Sequence, residues 1–271
     1  MKTAKATKAS LARELGVSRA SLYYKPKKPP EDEEMLQKIK TVMDDHRAYG
    51  SRRVAWALGL NRKRTKRLMK KHGLKPRIRR GQRPNKPDDV GKPETLVRNI
   101  PKVLCPIRAN ILWAGDFTYI WFMGQFWYLA TAIDIFTREI VGWHIAKHHT
   151  TALIVEAFRD GVRRMEAAPT WFHSDQGSEY LSGDYGEVLM AYGTQPSHSG
   201  KGKPWQNGFQ ESFYSHFKLE LGDVRRFTSV GELIEAIHQQ IAYYNNQRIH
   251  SAIKMPPVLF RTAHQQTLIP A

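Results

Sequence analysis

From about residue 108 onward, strand-length apolar runs alternate with helix-length amphipathic ones, and that order limits the possible folds more than any other feature of the chain. Ile111 to Trp121 is apolar and aromatic with few breakers, and one carboxylate, Asp116, interrupts it. Met123-Gly124-Gln125 reads as a turn, Phe126 to Ile133 as a second strand and Thr137 to Ile145 as a third, consecutive and antiparallel. Residues 150–166 follow as a helix with Leu153, Ile154, Ala157, Phe158 and Val162 on its apolar side. A short strand from Thr170 to His173 ends at Ser174-Asp175. Next come a helix over 183–192, a strand near 194–197 and a polar loop from Ser199 to Pro204. Helices over 205–221 and 228–245 complete the order. Three strands, helix, strand, helix, strand, helix predicts an α/β architecture, a mixed sheet with helices packed on it.

The first 100 residues have a different texture. They hold 28 Lys and Arg against 10 Asp and Glu, whereas residues 101–271 hold 15 of each, so the net charge of +18 resides entirely in the N-terminal part. A basic segment joined to a neutral globular one predicts a nucleic-acid grip, against the plainer reading of a solvated surface. Residues 1–28 read as a helix-turn-helix segment: Leu11, Ala12 and Leu15 at helical spacing, a break at Gly16, and Ser18 capping a second helix that carries Arg19 and ends at Pro26. Residues 31–74 read as a basic helical DNA-binding segment. Met35, Ile39 and Val42 share one face, Ser51 caps a helix to Leu58, and Asn61 caps another through His72, closed by Gly73. The last helix carries Arg62, Lys63, Arg64, Lys66, Arg67, Lys70 and Lys71, a crowding of like charge that calls for an anion, with phosphate the obvious one. Residues 75–107 form a basic linker, either a spacer or a segment lying along DNA. Residues 108–222 form the core and 223–271 a C-terminal helical extension.

Several classes are excluded. No apolar run approaches the roughly 18–20 residues of a membrane span, and no apolar stretch follows the basic N-terminus as a secretory signal requires. The single cysteine, Cys105, forms no internal disulfide and no multi-cysteine zinc site, which fits a reducing cytoplasm, with the protein on the nucleoid.

Three carboxylates stand out. Asp116 lies inside the first strand, where burying a lone charge is costly. Asp175 lies at the carboxyl end of the fourth strand, where open sheets place ligands. Glu211 lies on a helix among Phe209, Phe213 and Phe217. If strands one and four are neighbours, Asp116 and Asp175 face each other, and like charges that close call for divalent cations between them. Hard oxygen ligands suit magnesium. Each acid taken alone reads better as an ordinary surface or capping residue.

Trp113-x-x-Asp116-Phe117-Thr118-Tyr119, His173-Ser174-Asp175-x-Gly177-x-x-Tyr180 and Asn207-Gly208-x-x-Glu211-Ser212-Phe213 together resemble the DDE catalytic core of retroviral integrases and insertion-sequence transposases. Asp175 and Glu211 are separated by 35 residues, as in that group's D-D-35-E pattern, and Lys218 follows Glu211 by seven, on the same helical face. Tyr244-Asn245-x-x-Arg248-x-His250-Ser251-Ala252, Tyr49-Gly50-Ser51-Arg52-Arg53 and Lys66-Arg67-Leu68-Met69-Lys70 resemble insertion-sequence family three, second reading frame, so the likeness spans nearly the whole chain. Ile249 departs from it, where proline is common, as does the lack of a leucine-zipper segment ahead of the first helices.

The resemblance implies an RNase H-like fold and a DNA transposase. Asp116, Asp175 and Glu211 would be both catalytic and metal-binding, with two Mg2+ (or Mn2+) ions per site. Water would free a 3′-hydroxyl at the element's end, and that hydroxyl would attack a second phosphodiester. The implied partners are inverted-repeat element ends and target DNA, other copies of the chain assembled on DNA, and the upstream reading-frame product as a fusion or partner. Expected DNA contacts are Lys218, Asn207, Lys201, Lys203, Arg19, Arg62, Arg64 and Arg67; His173 and Tyr180 are expected to support the metal site from behind. Trp205 reads equally as a base-stacking or a core residue, and His144, His148 and His149 as a structural strand end. The rivals are an RNase H-like nuclease that cuts without joining and a catalytically inactive helix-turn-helix regulator.

Overall fold

The computed structural model describes residues 7–23, 29–77, 99–102, 104–200 and 207–266. The expected contacts Lys201 and Lys203, as well as Trp205 and most of the basic linker, lie outside these residues.

Five strands form one sheet: β1 (Leu112–Phe122), β2 (Gln125–Asp134), β3 (Ile140–Ala146), β4 (Trp171–Ser174) and β5 (Gln195–His198), in the order β3-β2-β1-β4-β5. β1 and β2 make a hairpin whose two-residue turn, Met123 and Gly124, takes positive φ at both positions (47° and 75°), the twist that suits a tight hairpin. β1 to β3 are antiparallel as expected, while β4 pairs parallel to β1 and β5 parallel to β4. The parallel pairing needs a crossover, supplied by helix α5 (Thr151–Met165). Its passage over the sheet is tight. A side chain at Gly142 in β3 would collide with the α5 backbone at Ala157 and Gly161.

Each face of the sheet has its own core. α5 and α6 (Gly183–Ala191) cover Trp113, Val141 and Phe172 on one side. On the other, Leu112, Leu129 and Ile133 pack with Phe213 and Phe217 of α7 (Gly208–Leu221), and with Leu233, Ile237 and Ile241 of α8 (Val230–Asn246). α8 is further tied to the sheet by Asn245, whose side-chain amide bonds both the N–H and the carbonyl of Ile140 at 2.9 Å. α8 thus packs directly against the sheet, and α9 (Pro257–Gln266) packs on α8, its Arg261 pairing with Glu139 of the β2–β3 connection at 2.7 Å.

The N-terminal segment contains α1 (Lys8–Glu14), α2 (Pro29–Asp45), α3 (Ser51–Ala57) and α4 (Arg62–Lys71). Two expectations are corrected. Residues 19–23 make a single 3-10 turn instead of a full helix, because only Ser21 N–H finds the Ser18 hydroxyl and no apolar face is buried. The cap of α3 is Gly50, with Ser51 already inside the helix. Asn61 caps α4 as expected, accepting from the N–H groups of Lys63 and Arg64. Ile39, Tyr49, Val54, Leu68 and Met69 form a small core for α2 to α4, which docks on α8 through a His46–Tyr243 hydrogen bond of 2.8 Å and through the Tyr49 hydroxyl, which accepts from Ile249 N–H at 2.6 Å.

Candidate active site

Asp116 and Asp175 are brought level by strand pairing. The β1–β4 register sets Ala114 opposite His173, and two residues further along each strand stand Asp116 and Asp175. Gly115 permits the approach, since a Cβ there would strike the Phe172 ring. The Asp116 carboxylate accepts from Phe117 N–H at 2.8 Å, and that of Asp175 accepts from Gly177 N–H at 3.0 Å.

α7 lies across the same end of the sheet, held by polar side chains spaced along one face. Asn207 donates to the Gly115 carbonyl at 3.1 Å. Gln210 donates to the carbonyls of Ala114 and Thr131, and the Tyr214 hydroxyl lies 2.7 Å from the Asp116 carbonyl. Three consecutive β1 carbonyls, 114 to 116, are therefore read by α7, fixing the register of the helix that carries Glu211 against the strand that carries Asp116. Gln210 and Tyr214 are not among the residues expected from the sequence. Their spacing of four, flanking Glu211, was the available signal, but a polar residue beside an aromatic one on a helix has many uses.

Burial pushes the Asp116 carboxyl up to about 7; the charges of Asp175 and, less strongly, Glu211 push the same way against the Phe117 N–H bond. The expectation that Glu211 sits in apolar company is corrected: Phe213 and Phe217 turn into the core while Glu211 is exposed. Among the described residues no three His, Cys, Asp or Glu side chains stand close enough as placed to hold one ion. The chemistry of the donor set still fits a divalent cation: hard carboxylate oxygens, one of them driven toward protonation by burial and by the charge of its neighbours.

The neighbouring residues have varied roles. His173 is buried and its Nδ1 bonds the Ser197 hydroxyl of β5 at 2.9 Å, and Ser197 also accepts from Ile100 N–H. Tyr180 is buried with its hydroxyl beside Gly115; burial holds that hydroxyl well above its ordinary value, with the Asp116 charge adding to it. Lys218 lies over the Tyr119 ring, 4.8 Å from its centre. His149 stacks on Phe117 and meets Glu179 at 2.6 Å. Glu179, a fourth acid near Asp175 across Gly177, was not singled out in the sequence.

On α4, where the crowded cations call for an anion, part of the balance comes from within the chain. Arg64 and Arg67 bond Asp32 of α2, at 2.7–2.9 Å, and Arg64 also reaches Glu31. Arg62, Lys63, Lys66, Lys70 and Lys71 remain exposed, as does Arg19.

The family description Integrase core domain matches residues 106–204, and a second family of the same description matches 192–257. A chain of the simian T-cell lymphotropic virus intasome, solved with the PP2A regulatory subunit B56 gamma, superposes with a TM-score of 0.55 at 15% identity, covering 86% of this chain and 76% of that one. The sheet and its flanking helices are the RNase H-like fold of an integrase catalytic core. The transposase for insertion sequence element IS904 of Lactococcus lactis subsp. lactis is 34% identical over 244 residues, 86% of this chain and 95% of that relative. The 31 kDa protein of insertion element IS600 from Shigella sonnei is 30% identical over 265 residues, 93% of this chain and 97% of that protein. The chain belongs to the insertion-sequence transposases of the DDE integrase superfamily.

Proposed function

We infer that this chain is a DNA transposase, a polynucleotidyl transferase whose catalytic and metal-binding residues are Asp116, Asp175 and Glu211. One observation carries the assignment: the β1–β4 register brings Asp116 level with Asp175, and hydrogen bonds from Asn207, Gln210 and Tyr214 to β1 hold the Glu211 helix beside them. Asp116, midway along β1, and Asp175, just past the carboxyl end of β4, would hold the ions, and Glu211 would complete the set from α7. Two magnesium or manganese ions, when bound, would activate an attacking oxygen and stabilise a leaving one in phosphoryl transfer. The protein's own contribution is position. Asn207, Gln210 and Tyr214 fix α7 against β1, Tyr180 walls the buried side of Asp116, and Lys218 stands on the Glu211 face of α7 to hold a phosphodiester.

The division of labour follows the charge. Residues 1–28 and 31–74 grip element ends through exposed cations, including Arg19 and Arg62, with Lys201 and Lys203 meeting the cut strand, whereas Asn207, buried with its amide on the Gly115 carbonyl, positions α7 instead of touching DNA. The working enzyme is an assembly of copies on DNA, and the upstream reading-frame product joins it as a fusion or partner. A transposase relative matched over 95% of its length disfavours the nuclease-only and regulator readings.

The test is cleavage and end binding measured side by side. Asp116→Asn, Asp175→Asn and Glu211→Gln each abolish cleavage in magnesium or manganese and leave end binding largely intact. Near wild-type cleavage by any of them refutes the triad. A pre-cut end that yields no joined product reduces the activity to that of a nuclease.

A further inference from the structure

The face of α7 turned away from Glu211 borders a cavity of about 400 Å³ that the proposed chemistry does not use. Phe209, Ser212 and His216 of α7 line it, together with Arg53 of α3, Arg138 from the β2–β3 connection, and Arg248 and His250 after α8. Three units of the chain thus contribute one guanidinium each.

These cations are under-neutralised. Arg248 is 1% exposed; its Nε donates to Glu220 at 2.9 Å, while its buried Nη2 has no partner among the described residues. Arg138 lies over the Phe209 ring at 4.2 Å, and its buried Nε and Nη1 are likewise unpartnered. Arg53 stacks on Tyr49 at 5.7 Å and makes no ion pair among the described residues. Glu220 is the one carboxylate paired to the group among the described residues. Guanidinium N–H donors buried without acceptors are unfavourable unless something anionic completes them, and paired forks match the oxygens of a phosphate. The other lining groups suit the same guest. Ser212 brings a hydroxyl, and His250, whose Nδ1 accepts from Ala252 N–H, keeps Nε2–H as a donor.

We propose that this cavity is a phosphate-binding site, in which Arg53, Arg138 and Arg248 take a tetrahedral oxyanion between the N-terminal helices, the core and the C-terminal segment. The guest is either a DNA backbone phosphate or a free oxyanion, and bound there it cross-links all three parts of the chain. Burial and the arginine charges hold His216 down at about 4 and His250 at about 3, so both imidazoles report on the field in the cavity.

The experiment uses the full-length chain and follows its histidine ring signals by NMR while inorganic phosphate, then a duplex oligonucleotide, is added against sodium chloride at equal ionic strength. Phosphate binds in a one-to-one ratio, and His216 and His250 both titrate at higher pH when it is present. Arg138→Gln weakens binding by about tenfold, the loss expected for one charge-assisted hydrogen bond, and Arg138→Lys by less. Ser251→Glu, which places a carboxylate at the cavity wall, removes phosphate binding without depending on the loss of an arginine. Signals that move with DNA assign the site to the DNA backbone, and signals that move only with inorganic phosphate assign it to a free oxyanion. If neither ligand moves these two histidines beyond the chloride control, or if Arg138→Gln and Ser251→Glu respond as the wild type does, the proposal is overturned.

Discussion

Asp116→Asn, proposed above to abolish cleavage, should make the metal-free protein more stable. The carboxyl ionises at about 7 in the folded chain against an ordinary 3.8, because burial and the charges of Asp175 and Glu211 oppose its charged form. A raised carboxyl contributes stability that is complete below pH 3.8 and is lost as pH climbs through about 7. At pH 8 the ionised side chain therefore costs the fold about 4 kcal/mol, at 1.36 kcal/mol per pH unit of displacement, an upper figure since the site is half-buried and relaxes. Asparagine has nearly the same shape, still accepts from Phe117 N–H and carries no charge. For a chain of this length that corresponds to a rise in Tm of roughly 10 °C at pH 8, shrinking to nothing near pH 4. The assay is thermal unfolding of both proteins in EDTA from pH 4 to 8. Equal Tm values at pH 8, or a gap of the same size at pH 5 and pH 8, would refute the reasoning.

Other perturbations test the supports. Gln210→Ala leaves the Ala114 and Thr131 carbonyls without their side-chain donor and should cost about 2 kcal/mol in urea unfolding. It also slows cleavage by about tenfold or more as Glu211 loses its register. Gly142→Ala drives a methyl into the backbone of α5 and should destabilise by about 3 kcal/mol in the same assay, with no change in end binding per folded molecule. Replacing Arg62, Lys66 and Lys70 by alanine should flatten the dependence of log affinity for DNA on log salt by about 2–3, close to one for each phosphate that no longer meets a cation. Arg64→Ala should instead loosen α4 from α2, seen as faster hydrogen exchange in both helices.

The order of strands and helices was legible because alternation and helical periodicity are local properties of the chain. Ile111 to Trp121 and the Leu153–Val162 face announced themselves in this way, with the ends of both elements shifted by a single residue, while the third strand and the Glu211 helix begin three residues later than expected. The triad was legible for a different reason: its spacing and flanking residues match a known family pattern. The second helix expected after Ser18 failed because capping chemistry without a buried face does not sustain a helix.

By itself, then, the sequence determined the element order and the one-sided charge, both written in neighbouring residues, and singled out the three candidate acids by their match to a family pattern. Only the tertiary structure decided that β4 lies parallel beside β1 and brings Asp175 level with Asp116. It also decided that Asn207, Gln210 and Tyr214 bolt α7 to three successive carbonyls, and that Arg64 and Arg67 are bound to Asp32. The reason is physical: a hydrogen bond or a charge pair between residues far apart in the chain leaves no periodic trace in it and exists only once packing has brought the partners within reach.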